Sequence, residues 1–458
     1  MKYNLDNLNV KKKIYKLKNG INVILIPLDN TNLVNIDVKF KLGNADEYYC
    51  KCPELVHYME HLVFHFTSNK YKSFKTISDL LEKNNGETNA ETRVSSTRFY
   101  LYGLYNSIDL YLDIISNGIF DFYLDKSIVD NEKEAVFNEL NQNFFSDSLY
   151  KFYTKKYKYL YKDKTRLLWK TNKHIKFLKK YNPNNITKFI KDYLLNEKIV
   201  LTISYDKSNT KEVIKLINKH FNKKIKKNKS KIRKTTLKFK NNKLKVVYLK
   251  NASSPNKNQN NIDFTIHCKI IPGSKRHFCL VYLCILFNAQ RYSTFYDILR
   301  SKLGLIYAIS FGIKINYTDY NYSNIVISTN CSKENLPKLI YEILNIFDNI
   351  LLKDFTSNTL DILYKNIIRH HSSLNKNDIT FFSEFYSNEL LFKKKVINYK
   401  DKINIYKSIT LKDLRKEFKI LKHNLLNKGV IFYNGTKNFN KDIEKINKRK
   451  FKINYVSF

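Results

Sequence analysis

Residues 53–67 read PELVHYMEHLVFHFT. His57, Glu60 and His61 form an H-x-x-E-H pattern inside an apolar run. On a helix successive residues turn by about 100°, so His57 and His61 stack one turn apart on one face. Glu60 falls within the same arc. Leu55, Val56, Met59, Leu62 and Val63 supply apolar flanks able to bury that helix. Two imidazoles one turn apart make a pair of zinc ligands, and a neighbouring carboxylate can handle the proton of a water on the metal. Such a His pair also arises by accident on helix surfaces, so distant sequence must decide between the readings.

A zinc site that does chemistry needs a third protein ligand and an open position. The pattern predicts a long helix over residues 126–145. Glu132 and Glu139 lie on it seven residues apart, two turns, and so share a face. Glu139 is the candidate third ligand.

The rest of the chain alternates strand-like and helix-like runs. Strands are expected at 13–17, 21–26 and 33–42, the last alternating as Val34, Ile36, Val38, Phe40 and so half-buried. A helix over 74–83 ends at Asn84-Asn85-Gly86. Residues 198–204 read as a strand and 210–221 as a helix. In the second half 304–315 and 321–329 read as strands, and 333–352, 359–371 and 379–392 as helices. The end repeats the earlier order: Ile409-Thr410 opens a helix as Ile186-Thr187 does, and Leu425-Leu426-Asn427 precedes a strand as Leu194-Leu195-Asn196 does. An internal duplication at about half the chain length accounts for this. The expected fold is α+β, two homologous halves, each with helices packed on a largely antiparallel sheet. The expected domains are 1–222 and 244–458, joined by a Lys-rich linker over 223–243.

At 458 residues the chain is too long for one core, and 43% hydrophobic residues suffice to fill two or three. Formal net charge is +41, but only ten of the 82 basic residues are Arg, and the Lys is spread throughout. With abundant Asn, Ile, Tyr and Phe and just 10 Gly, this profile fits AT-rich codon usage. A basic nucleic-acid-binding protein is the rival reading, since such a field attracts polyanions. No recognised nucleic-acid motif supports it, so no specific nucleic-acid partner is expected. Six cysteines, with Cys50-x-Cys52 lacking a second pair, suggest neither a disulfide framework nor a structural zinc site. No secretory signal or membrane-spanning run is evident, so the expectation is a cytoplasmic protein, bacterial or endosymbiont, or one in a relict mitochondrial compartment.

Several stretches together resemble the pitrilysin/insulinase family of zinc metallopeptidases, especially mitochondrial processing peptidase subunits and short bacterial processing-type peptidases. Lys16 to Pro27, KLKNGINVILIP, is similar to the family's opening strand pair. His57 to His61 matches its H-x-x-E-H. EKEAVFNE, Glu132 to Glu139, matches the block whose last Glu is the third ligand, and 77 residues separate it from His61. Asn89-Ala90-Glu91-Thr92 matches an N-A-x-T sheet edge, and Arg300 to Tyr307, RSKLGLIY, matches R-x-x-x-G-L-x-Y. Two departures flank the motif helix. Glu54 and Leu55 stand where the family has a glycine, and Phe64-His65-Phe66-Thr67 replaces F-K-G-T. His65 is a rival ligand by spacing but aligns with a non-ligand position.

The resemblance implies two halves closing like a clam around a chamber. It implies one zinc per chain, held by His57, His61 and Glu139, with Glu60 as general base and Glu132 orienting a ligand. Arg300 and Tyr307 would donate to substrate carbonyls, and Asn89 and Ala90 would hold an extended peptide. The implied function is an endopeptidase for peptides or unfolded, presequence-like segments. It would work as a homodimer or as a heterodimer with a related subunit. The alternative is a non-catalytic substrate-binding or structural subunit.

Overall fold

The computed structural model describes residues 9–47, 51–144, 148–161, 171–195, 197–223, 225, 243–249, 259–288, 294–315, 323–372, 378–393, 396–434 and 438–458. The first half runs β1 (Lys13–Lys16), β2 (Asn22–Leu28), β3 (Leu33–Phe40), α1 (Leu55–Phe64), α2 (Phe74–Lys83), β4 (Glu87–Thr92), β5 (Thr97–Leu104), α3 (Ile108–Phe120), α4 (Lys126–Phe144), α5 (Ser148–Tyr161), α6 (Thr171–Leu178), α7 (Pro183–Phe189), β6 (Ile199–Asp206) and α8 (Thr210–Phe221). The second runs β7 (Lys245–Tyr248), β8 (Gln259–Cys268), α9 (Lys275–Asn288), β9 (Ile309–Lys314), β10 (Ser323–Ser332), α10 (Leu336–Asn349), α11 (Ser357–Ser372), α12 (Ile379–Phe392), α13 (Tyr399–Lys407), α14 (Leu411–Lys428), β11 (Val430–Tyr433), α15 (Asn440–Arg449) and β12 (Asn454–Ser457).

Local chemistry sets several of these boundaries. α2 stops at Asn84-Asn85-Gly86: Asn85 takes φ +51°, and the Gly86 amide returns to the Leu81 carbonyl at 2.8 Å. α7 opens on an Asn182–Asn185 capping box with Pro183 in its first turn, and α14 on a Thr410–Asp413 box. α1 leaves through buried Phe66 at φ +51°, packed so tightly on Gly118 that a Cβ there would lie 2.5 Å from the Phe66 Cα. Only glycine fits at 118.

The strands form two six-stranded sheets, ordered β1-β2-β6-β3-β5-β4 and β12-β7-β11-β8-β10-β9. In the first, β2 and β6 are parallel and the other pairs antiparallel. In the second, β7 is parallel to both β11 and β12, and the rest are antiparallel. Thus β2-β6-β3-β5-β4 and β7-β11-β8-β10-β9 have the same order and sense, the duplication expected from sequence. One landmark of it shifts. Thr410 caps α14, but the counterpart cap is Asn182, five residues before the expected Thr187.

Packing divides the chain into two units that do not follow contiguous halves. One holds Met1–Asn143, Trp169–Lys234 and Ser372–Lys400; the other holds Phe144–Leu168, Thr235–His371 and Asp401–Phe458. Each unit therefore contains one helix from the opposite half of the sequence. In the first, α12 packs on β3 and β6, with Ser383 Oγ 2.7 Å from Ser204 Oγ and Lys39 Nζ donating to Asn388 Oδ1 at 3.0 Å. In the second, Phe152 and Leu160 of α5 join Val247, Leu249, Val430 and Phe432 in one apolar cluster. The expected 223–243 linker lies almost wholly outside the described residues.

Three expectations are corrected. β3 is buried on both faces, because Asn35, Asp37 and Lys39 lie under α12 rather than in water. The strand expected over 304–315 covers only Ile309–Lys314, since Gly304 turns through φ +58° and Leu305 and Ile306 bury in the loop. Cys52 is disulfide-bonded, whereas Cys268, Cys279, Cys284 and Cys331 carry free thiols. Among the described residues no helix is long and apolar enough to cross a membrane.

Candidate metal centre

The centre is built on α1 and α4 of the first unit. α1 is anchored by buried Val56, Tyr58, Met59, Leu62 and Val63, and the Tyr58 hydroxyl donates to the Val129 carbonyl of α4. That docking brings the acid-bearing face of α4 against the two histidines. Nε2 of His57 and Nε2 of His61 each lie 3.4 Å from the same atom, Glu139 Oε2. The rings meet edge to face with centroids 4.9 Å apart. His57, Glu60 and His61 each also offer a donor atom within 4.8 Å of the others.

These separations suit a small tetrahedral cation. Four donors about 2.0–2.1 Å from a zinc ion lie about 3.3–3.4 Å from one another. Both Nδ1 atoms are turned to other carboxylates: His57 Nδ1 lies 3.4 Å from Glu54 Oε2, and His61 Nδ1 lies 3.2 Å from Glu132 Oε2. A carboxylate on Nδ1 fixes the tautomer that leaves the Nε2 lone pair free for a metal. The donor set therefore fits zinc.

Of the carboxylates around the imidazoles, Glu139 contacts both Nε2 atoms, which makes it the candidate third donor. Glu60 is 9% exposed and accepts a hydrogen bond from Thr92 Oγ1 at 3.3 Å. Burial pushes its carboxyl pKa above the ordinary value. Glu132 also takes His65 Nε2 at 2.7 Å, and the His65 ring packs edge-on against Phe74. The His65 Nε2 is thus directed to Glu132 rather than into the donor group. Burial would raise the Glu132 pKa, but its bonds to His61 and His65 prevail and hold it at about 2.

Burial alone would lower the His57 pKa, yet hydrogen bonds to Glu139 and Glu54 outweigh it and push it up to about 10. The hydrogen bond from His57 holds Glu139 below the usual carboxylate range. A metal bound there must displace the His57 proton. Zinc affinity is therefore expected to rise about tenfold per unit between about pH 6.5 and about pH 8.5. Chelator competition across that range measures the slope, and a flat profile would mean that the His57 ring is already unprotonated there.

The remaining candidates fall elsewhere. Asn89 and Ala90 sit on β4, the outer strand of the first sheet, with Ala90 N donating to Asn89 Oδ1 at 2.8 Å. Arg300 and Tyr307 belong to the second unit. There the guanidinium lies 4.4 Å from the Tyr307 ring centroid and donates to the Tyr307 carbonyl at 2.6 Å. Tyr307 is 76% exposed. Sequence reasoning missed Glu54, His174 and Glu47, which surround the start of α1. The usable signal was a charged residue where the resemblance gives glycine; nothing marked His174, 120 residues away.

Residues 23–150 match the family model for insulinase, peptidase family M16, and residues 180–366 match the model for the peptidase M16 inactive domain. The H-x-x-E-H stretch and both acids of α4 lie in the first match. The zinc protease PqqE of Helicobacter pylori is 29% identical over 131 residues, 28% of this chain and 29% of that protein. The beta subunit of the yeast mitochondrial-processing peptidase is 27% identical over 124 residues, 27% of this chain and 26% of its own. The matched stretches thus span less than a third of either relative. A crystal structure of a protease from Helicobacter pylori superposes with TM-score 0.73 at 16% identity, covering 93% of this chain and all of that one. With both models matched in order and the fold reproduced along nearly the whole length, the chain belongs to the pitrilysin/insulinase family, peptidase family M16.

Proposed function

We propose that this chain is a zinc-dependent endopeptidase acting on peptides or unfolded, presequence-like segments. The observation that carries the reading is the convergence of His57 Nε2 and His61 Nε2 on Glu139 Oε2, each at 3.4 Å. These three residues would hold one zinc ion, with Glu60 beside it. Zinc supplies the Lewis acidity that brings the pKa of a water from about 15.7 to about 7. Glu60 takes the proton of the attacking water and hands it to the leaving amine. Its raised pKa brings it closer to neutral working pH, where a base both accepts and releases a proton efficiently. Glu132 holds His61 through Nδ1, and Thr92 holds Glu60.

Substrate would add to the outer edge of β4, where Asn89 and Ala90 lie. Strand addition reads backbone groups and needs an extended chain, which favours unfolded segments over folded proteins. Thr92 of the same strand already touches Glu60, so a peptide on that edge runs beside the general base. Arg300 and Tyr307 are assigned to substrate carbonyl oxygens. A related partner subunit is the second reading, favoured by the likeness to one subunit of a processing peptidase.

Metal content measured together with cleavage of a quenched peptide, on the chain purified alone, tests both. About one zinc per chain with chelator-sensitive cleavage is the expected result. Zinc without cleavage until a related subunit is added would favour the heterodimer. A chain that binds no zinc overturns the peptidase reading.

A further inference from the structure

Glu54 carries two costs at once. Its backbone sits at φ +63°, ψ 2°, the left-handed region that favours glycine and costs other residues conformational energy. Its carboxylate is fully buried, and burying a charge is costly unless it is paired. Costs of this kind persist where the surroundings use the residue.

Glu54 is the residue before α1, where an acidic side chain would ordinarily cap the helix amides. It makes no such cap. Glu47, also fully buried, does that work instead. Its Oε2 accepts from the Glu54 amide at 2.9 Å and its Oε1 from the Val56 amide at 3.0 Å, with the His57 amide at 3.4 Å. The Glu54 side chain is thereby released from the helix end. One oxygen faces His57 Nδ1 at 3.4 Å and the other lies 2.7 Å from His174 Nδ1 of α6. His174 is itself buried, and nearby Tyr181 ties the segment after α6 to α1 by donating to the Pro53 carbonyl at 2.7 Å.

We infer that Glu54 and His174 are positioning residues for the metal: His174 clamps Glu54, and Glu54 holds the His57 ring so that Nε2 faces Glu139. This rests on the reading of His57 as a zinc ligand. It mirrors the other side of the centre, where His65 clamps Glu132 and Glu132 holds His61. Each ligand histidine thus has its own carboxylate and each carboxylate a further histidine. Glu54 stands three residues before His57, and from the left-handed position at the start of α1 its carboxylate reaches that ring.

The test measures zinc affinity of the full chain by chelator competition, and the absorption spectrum of the cobalt-substituted protein, for Glu54→Gln, Glu54→Gly and His174→Ala. Losing a carboxylate that orients a metal-bound histidine weakens binding by about 10–100-fold. That loss is expected for both Glu54 variants, with a changed cobalt spectrum, and a smaller loss in the same direction for His174→Ala. His174→Gln, which keeps an N–H donor, should recover much of it. Glycine suits the backbone at 54 and Gln nearly preserves the side-chain volume, so the two variants separate folding from positioning. Unchanged zinc affinity and cobalt spectrum in folded Glu54 variants overturn the inference and leave the zinc reading standing. Absence of zinc from the unsubstituted chain overturns both.

Discussion

Replacing Glu60 by Gln is expected to lower peptide cleavage by about 10²–10⁴-fold while bound zinc stays at the unsubstituted level. The substitution keeps the shape of the side chain and an oxygen for the Thr92 hydroxyl, which donates at 3.3 Å. It removes the ability to take a proton. Metal should be retained because His57, His61 and Glu139 are untouched. Two measurements on one preparation, zinc content and turnover of a quenched peptide, decide the matter. If zinc is lost along with activity, Glu60 is a ligand, as its place within 4.8 Å of the two histidines would allow. If more than about a tenth of the rate survives, some other group is the base.

The second large effect is on stability. Lys156 of α5 and Asp263 of β8 form an ion pair at 2.6 Å, both about 5% exposed. Burial lowers the Lys156 pKa, and the Asp263 carboxylate works against that shift. Removing one partner leaves the other charge buried without it, which costs about 3–5 kcal/mol. Lys156→Met is therefore expected to destabilise the second unit by that amount in urea unfolding. Replacing both, Lys156→Met with Asp263→Leu, should recover most of the loss, since well-packed apolar residues of similar size often match a buried pair. A single variant that unfolds like the unsubstituted protein would show that the pair is hydrated. A double variant no better than the single would show that the site cannot repack.

The first unit has a comparable arrangement. Arg98 Nε donates to buried Asp37 at 2.8 Å and reaches Glu384 of α12 at 3.5 Å, while Arg93 pairs with Glu384 at 2.7 Å. Burial lowers the pKa of neighbouring Lys39 to about 8. In both units the helix contributed by the other half of the sequence lies over charged strand residues and supplies their partners. This is why β3 misleads as a sequence. Its alternation of Val34, Ile36, Val38 and Phe40 with Asn35, Asp37 and Lys39 reads as one wet face, and the partner that dries that face is encoded about 350 residues later.

What the sequence determined by itself is local and periodic. Helical spacing put His57, Glu60 and His61 on one arc, and the seven-residue step put Glu132 and Glu139 on one face of α4, because the pitch of a helix fixes which side chains share a side. The turn Asn84-Asn85-Gly86 placed the end of α2, and the recurrence of Ile-Thr and Leu-Leu-Asn pointed to the duplication. What only the tertiary structure decided is everything that depends on distant residues meeting: the convergence of Glu139 on two imidazoles, the exchange of α5 and α12 between units, and the turning of Glu54 between His57 and His174. Contacts of that kind are set by how whole elements pack, and packing leaves no period in the chain to read.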